Sequence, residues 1–183
     1  MLIAFFVMLA VRAIFMRQKK GIKAFVFGKT DKSDFLYLIV VALFVYAAVA
    51  KVAGLPMWDV LVKPFWNTEI PGWIGIVFCI LAIIGFLISL YSFGDSLRVG
   101  IDEEKPGKLV TTGIFAYSRN PLYLCIITFF IGFFLVHKNI IAAAIVVFFT
   151  LAIHRQILRE EAYLKVHYAG EYESYCAKTR RYI

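Results

Sequence analysis

Five apolar stretches divide the chain: Leu2–Met16, Phe35–Ala53, Trp73–Phe93, Leu122–Val136 and Ile140–Ile153. A helix that crosses a bilayer needs about 20 mostly apolar residues, with a usual range of about 17–25. The second and third stretches are full length. The first is interrupted by Arg12, which lies near one end and can snorkel. The last two are short and separated only by His137-Lys138-Asn139, so they read as a tight helical hairpin. Each can extend at its far end into polar residues. The pattern predicts an all-α integral membrane bundle of about five transmembrane helices, with a C-terminal hairpin over 121–155 and a cytoplasmic C-terminal helix.

The polar segments between these runs carry an uneven charge. Residues 17–34 hold six Lys or Arg, residues 94–121 hold four and the tail after Ile153 holds six. The opposite side holds only Lys51, Lys63 and Lys138. By the positive-inside rule this places the N-terminus outside and the C-terminus in the cytoplasm, at the cell inner membrane. Five spans fit that parity; four or six would not.

Composition agrees: 62% of the 183 residues are apolar and 17% charged, against about half and a quarter in soluble domains. The net charge of +8 does not indicate nucleic acid, because the basic residues form separate clusters between apolar runs. Cys79, Cys125 and Cys176 lack metal-ligand spacing and form no disulfide framework. His137, His154 and His167 show no ligand spacing either, so no metal is expected. The first apolar run lacks the basic leader of a secretory signal and reads as a retained helix.

Sequence spacing also places the polar groups in depth. Pro121 and Arg155 each lie 17 residues from Lys138 at the centre of the hairpin turn. At roughly 1.5 Å per residue both stand about 25 Å from it. The stretch Ser118-Arg119-Asn120-Pro121 and the start of the charged tail are therefore predicted to meet on the cytoplasmic face.

Asn120 suits a helix N-cap and Pro121 a first helical position. A capped N-terminus also presents free N–H groups that suit a carboxylate or phosphate, with Tyr123 near enough to line such a site. In the tail, Glu161 has Lys165 at i+4, a surface pair of small worth. Glu160 finds no cation at i−4 or i+4, where Gln156 and Leu164 stand. An acidic residue so placed at a membrane boundary is a functional candidate. Pro106-Gly107 marks a turn, Leu109 and Val110 a short extended piece, and Gly113 a further tight turn or a close backbone approach. Tyr172 and Tyr175 share a helical face and read as packing or interface anchors.

The run KLVTTGIFAYSRNPLYL, the two-helix hairpin and REEAYLKVHYAGEYESYCAKTRRYI together resemble the isoprenylcysteine carboxyl methyltransferase family, which is grouped with phospholipid N-methyltransferases. The matching positions are Leu109, Val110, Gly113, Phe115, Arg119, Asn120, Pro121, Tyr123, Glu160, Glu161, Leu164, Tyr172 and Tyr175, over roughly residues 90–183. The resemblance implies a small membrane enzyme that binds S-adenosylmethionine at the cytoplasmic end of the hairpin. It places Leu109, Val110, Gly113, Phe115, Asn120, Tyr123, Arg155, Glu160 and Glu161 around the cofactor. Arg119 and Glu160 are expected to form the essential pair, Arg119 with the helix start at Asn120 holding a carboxylate and Glu160 an ammonium or the cofactor's positive charge. A lipophilic or lipidated acceptor would enter from the membrane lipids, within a single membrane domain over 1–183. Residues 1–72 would shape its access, and 73–183 would form the cofactor-binding core.

Three positions depart from the family pattern. Asn120 stands where many relatives have histidine, and an amide cannot titrate. Tyr168-Ala169 replaces Phe-Gly and reads as a packing change. Gln156 stands where an arginine is common, with Arg155 one residue earlier, which turns that side chain about 100° on a helix. Rival readings are a non-catalytic scaffold of the same fold, a sterol-type reductase and a small transporter. The short length argues against the reductase, and the lack of internal repeats and mid-membrane charges against the transporter.

Overall fold

The computed structural model describes residues 63–93 and 109–183, with isolated positions between 46 and 54. Every regular element among the described residues is helical. Three long helices, α1 (Ile70–Phe93), α2 (Pro121–His137) and α3 (Ile140–Lys178), are accompanied by a 3-10 turn at Gly113–Ala116. The expected span Leu2–Met16 lies outside the described residues. So does Phe35–Ala53, apart from helical positions at Tyr46, Val49, Ala50 and Ala53.

Helix α1 starts three residues before the apolar run, where Thr68 Oγ1 accepts the Ile70 N–H at 3.3 Å. Its buried residues Gly75, Cys79, Ala82, Phe86 and Ser89 recur at alternating spacings of three and four. The far side carries Trp73, Val77, Leu81, Ile84, Ile88 and Tyr91, all exposed. A soluble helix is polar there; an apolar outer face suits lipid. Helices α1 and α3 are each long and apolar enough to cross a membrane, and α2 is a shorter apolar helix.

Helices α1 and α2 meet through glycine. The Gly75 and Gly132 backbones approach so closely that a Cβ on either would stand 2.5–2.6 Å from the other's carbonyl oxygen. Small residues at such a crossing allow dispersion contacts along the whole interface, the main attraction between helices in lipid. Cys79, Ala82, Phe86, Leu90, Leu122 and Phe129 fill it. Ser89 and Thr128 satisfy their hydroxyls within their own helices, on the Gly85 and Leu124 carbonyls.

The link between α2 and α3 is two residues long. Lys138 takes a left-handed conformation (φ 55°) and its N–H returns to Phe134 O at 2.7 Å. Asn139 then caps α3, its Oδ1 accepting the Ala142 N–H at 2.9 Å. Phe130 of α2 stacks on Phe149 of α3 with ring centroids 4.3 Å apart.

Helix α3 runs far beyond the apolar stretch that announced it, to Lys178. Its one break is Ala169, at φ 39° and ψ −119°. Those angles lie near the first central position of a type II′ turn, which favours glycine. The departure from the Phe-Gly pattern at Ala169 therefore bears on backbone conformation, where the sequence suggested a packing change. Gly170, one residue on, has no positive φ to relieve. Ala169→Gly is expected to stabilise the protein by about 1 kcal/mol, raising Tm in detergent by roughly 2–4 °C. An unchanged or lower Tm would refute strain at Ala169.

Candidate functional site

The residues before α2, the middle of α3 and the end of the chain converge on one polar cluster. Its centre is Glu161, whose side chain is only 11% exposed. The Glu161 carboxylate accepts from Arg119 Nε at 3.3 Å, from Asn120 Nδ2 at 3.1 Å and from Arg181 Nε at 2.9 Å. The Arg181 guanidinium adds a second contact at 2.8 Å. This hydrogen bond pushes the Arg181 pKa above its ordinary value. Arg119 also donates to the carbonyls of Thr179 at 3.1 Å and Cys176 at 3.4 Å.

This geometry corrects three expectations. Arg119 does hold a carboxylate, but it is that of Glu161. Glu161 draws its cations from other elements, Arg119 and Arg181, instead of from Lys165 at i+4. Asn120 stands at the N-cap position of α2 yet makes no capping bond. Its amide nitrogen donates to Glu161 and to the Arg181 carbonyl at 3.2 Å. The Arg119 and Asn120 side chains expected to serve an anion at this helix start are thus turned to the protein's own Glu161 and to carbonyls of the chain end.

Glu160, the adjacent residue, faces a different set. Tyr123 Oη donates to Glu160 Oε1 at 2.5 Å and Gln156 Nε2 to the same oxygen at 2.8 Å. Gln156 Oε1 in turn accepts from Arg159 Nη2 at 2.7 Å. The amide joins a half-buried carboxylate to a half-buried guanidinium. Arg155 is exposed, one residue from the position that reaches Glu160. The start of α2 and the residues before it meet α3 at Glu160 and Glu161, more than a turn beyond Arg155. Equal residue counts give equal depth only for parallel helices, and here the contacting residues lie at unequal distances from the turn.

The loop residues are placed as follows. Leu109 and Val110 are half-buried in non-helical backbone. Gly113 has φ +64°, and a Cβ there would stand 3.1 Å from Ser92 Oγ, so it meets both readings made of it. Phe115 is buried edge-on against Phe93 at 4.5 Å, and its carbonyl accepts the Tyr175 hydroxyl at 2.6 Å. It ties the turn to α1 and to the end of α3. Tyr172 and Tyr175 pack edge-on beside it.

Sequence reasoning missed Arg159, Gln156 as a bridge, and Arg181. The first two were legible: Gln156 precedes Arg159 by three residues and Glu160 by four, which brings each within reach of the amide. Arg181 lies beyond α3, and no spacing rule reaches it.

No group of three or more His, Cys, Asp or Glu able to hold a metal occurs among the described residues. No curated protein and no solved structure matches the chain. The family model described as phospholipid methyltransferase matches residues 70–171. That span is more than half of the chain and takes in α1, α2 and the Gln156–Glu161 turn. The chain belongs to the phospholipid methyltransferase family, the membrane methyltransferases to which the isoprenylcysteine carboxyl methyltransferases are related.

Proposed function

We propose that this protein transfers a methyl group from S-adenosylmethionine to a lipophilic acceptor held in the membrane. The observation that carries the reading is the Tyr123–Glu160–Gln156–Arg159 constellation beside the start of α2. The amino-acid end of S-adenosylmethionine is an ammonium next to a carboxylate. Glu160 and Arg159, joined through Gln156, offer one anion and one cation to match it, so the donor set fits the cofactor. Tyr123 fixes the Glu160 rotamer. When bound, S-adenosylmethionine supplies the methyl group on a positively charged sulfur.

Glu160 is assigned to the ammonium and not to that sulfur. A carboxylate against the sulfur would stabilise a charge that is lost in the transition state, and so would favour the ground state. Orientation of the two reactants is the larger contribution, worth roughly 7–11 kcal/mol in well-aligned cases. With Asn120 unable to titrate and turned toward Glu161, the chain provides no base at that position.

In this reading the chain crosses the membrane five times, with its N-terminus outside and its C-terminus in the cytoplasm of a cell with an inner membrane. The hairpin carries the cofactor site, and residues 1–72 shape acceptor access from lipid. The charge asymmetry across the predicted loops supports that orientation.

Calorimetric titration of the detergent-purified protein with S-adenosylhomocysteine, with NADPH as control, tests the proposal. Saturable binding of the first alone is expected. Glu160→Gln is expected to weaken it by about tenfold or more, the scale of one hydrogen bond to a charged group. An unchanged affinity in that variant would remove Glu160 from the site. Binding of neither ligand by folded protein would favour the scaffold, and binding of NADPH the reductase.

A further inference from the structure

The last residues of the chain do not trail away from α3. They turn back and fasten the segment that precedes α2. The Arg119 N–H donates to the Arg180 carbonyl at 3.0 Å. Ser118 Oγ and Asn120 Nδ2 both donate to the Arg181 carbonyl, at 3.4 and 3.2 Å. Thr179 is buried, and its hydroxyl donates to the Ala116 carbonyl at 3.3 Å. Tyr182 reaches α3 itself, its hydroxyl 2.6 Å from His154 Nδ1. All four residues from Thr179 to Tyr182 thus take part, and all four lie beyond the family match, which ends at 171.

Arg181 does more than fasten. It takes the Oε2 oxygen of Glu161, while Arg119 and Asn120 take Oε1. Both carboxylate oxygens are thereby occupied. Loss of Arg181 would loosen the start of α2, two residues from Tyr123, which orients Glu160.

We propose that Thr179–Tyr182 is a strap that assembles the cofactor site, with Arg181 as its positioning residue: by holding Glu161 Oε2 while Arg119 and Asn120 hold Oε1, it fixes the start of α2 and with it Tyr123, which orients Glu160. This rests on the S-adenosylmethionine reading above. Arg181 acts through Glu161 and touches no reactant.

The test uses the full chain in detergent as wild type, Arg181→Ala and Tyr182→Phe. S-adenosylhomocysteine affinity is read by calorimetry, and amide exchange over residues 117–124 by mass spectrometry without ligand. Arg181→Ala is expected to bind about tenfold more weakly, the scale of one charge-assisted hydrogen bond, and to exchange faster at Arg119 and Asn120. Guanidinium ion at low millimolar concentration is expected to restore most of that affinity, which it would not do for a protein that is merely less stable. Affinity within twofold of wild type, or unchanged exchange, would overturn the proposal. Should Arg181→Ala fail to fold, Tyr182→Phe decides, because it loosens the strap while Glu161 stays paired: weaker binding upholds the role and equal binding removes it. Wild-type protein that binds no S-adenosylhomocysteine would overturn the cofactor reading and this role of Arg181 with it. The exchange difference would then still show separately whether the strap is fastened.

Discussion

Glu161→Ala is expected to destabilise the protein by about 3–5 kcal/mol, the range for removing one partner from a buried ion pair. The carboxylate is shared by Arg119, whose side chain is 12% exposed, and by Arg181, 37% exposed. Its removal leaves the Arg119 charge in a poorly solvated site with only carbonyls for company. Asn120 loses an acceptor in the same step. Glu161→Gln keeps an acceptor oxygen and loses the charge, so it is expected to fall between wild type and alanine. Thermal unfolding in detergent measures the order. Equal Tm values for all three proteins would mean that water reaches the cluster, and that Glu161 is not its centre.

Gly132→Val is expected to cost about 3 kcal/mol or more, at or above the usual range for overpacking. A Cβ on Gly132 would stand 2.6 Å from the Gly75 carbonyl oxygen, 2.8 Å from Cys79 Sγ and 3.0 Å from the Cys79 nitrogen. Two of those three atoms belong to backbone and cannot rotate away. The helices must separate, and the contacts around Phe86 and Phe129 loosen with them. In lipid no hydrophobic drive compensates, because the acyl chains are as apolar as the side chains exposed. Gly170→Ala is the control, since a Cβ there meets nothing within 4 Å. A Gly132→Val protein with the Tm of wild type would show that α1 and α2 do not pack through these glycines.

Both predictions depend on atoms that meet across elements, and the sequence was least informative there. Within an element it was informative. The apolar runs from Trp73 and Leu122 correspond to α1 and α2 within a few residues, because a buried or lipid-facing helix must be apolar along its length. The run from Ile140 marked where α3 begins but not where it ends. Helices stop where the backbone stops pairing, and the polar second half of α3 continues to pair as far as Lys178. The break at Ala169 was invisible for a related reason: alanine is a strong helix former, and only the φ of 39° shows the chain leaving helix there.

The candidate site divides along the same line. Gln156 lies within reach of both Arg159 and Glu160 because helix geometry fixes the bearing of i, i+3 and i+4 positions, so that much is written in the chain. Which of two adjacent glutamates would be locked to arginine and which would face Tyr123 is not. Neighbouring residues differ by about 100° in bearing, and the outcome depends on how α2 and α3 cross and on where the chain end returns. The sequence by itself determined the three apolar helices among the described residues, their order, a short link between α2 and α3 (three residues by the apolar pattern, two in the structure), and the gathering of polar residues at one end. The tertiary structure decided that Arg119 serves Glu161, that Asn120 joins them in place of capping α2, and that the last four residues before Ile183 close the cluster. Helical periodicity is a local property of the backbone. These pairings join groups about 20 to more than 60 residues apart, and only packing sets them.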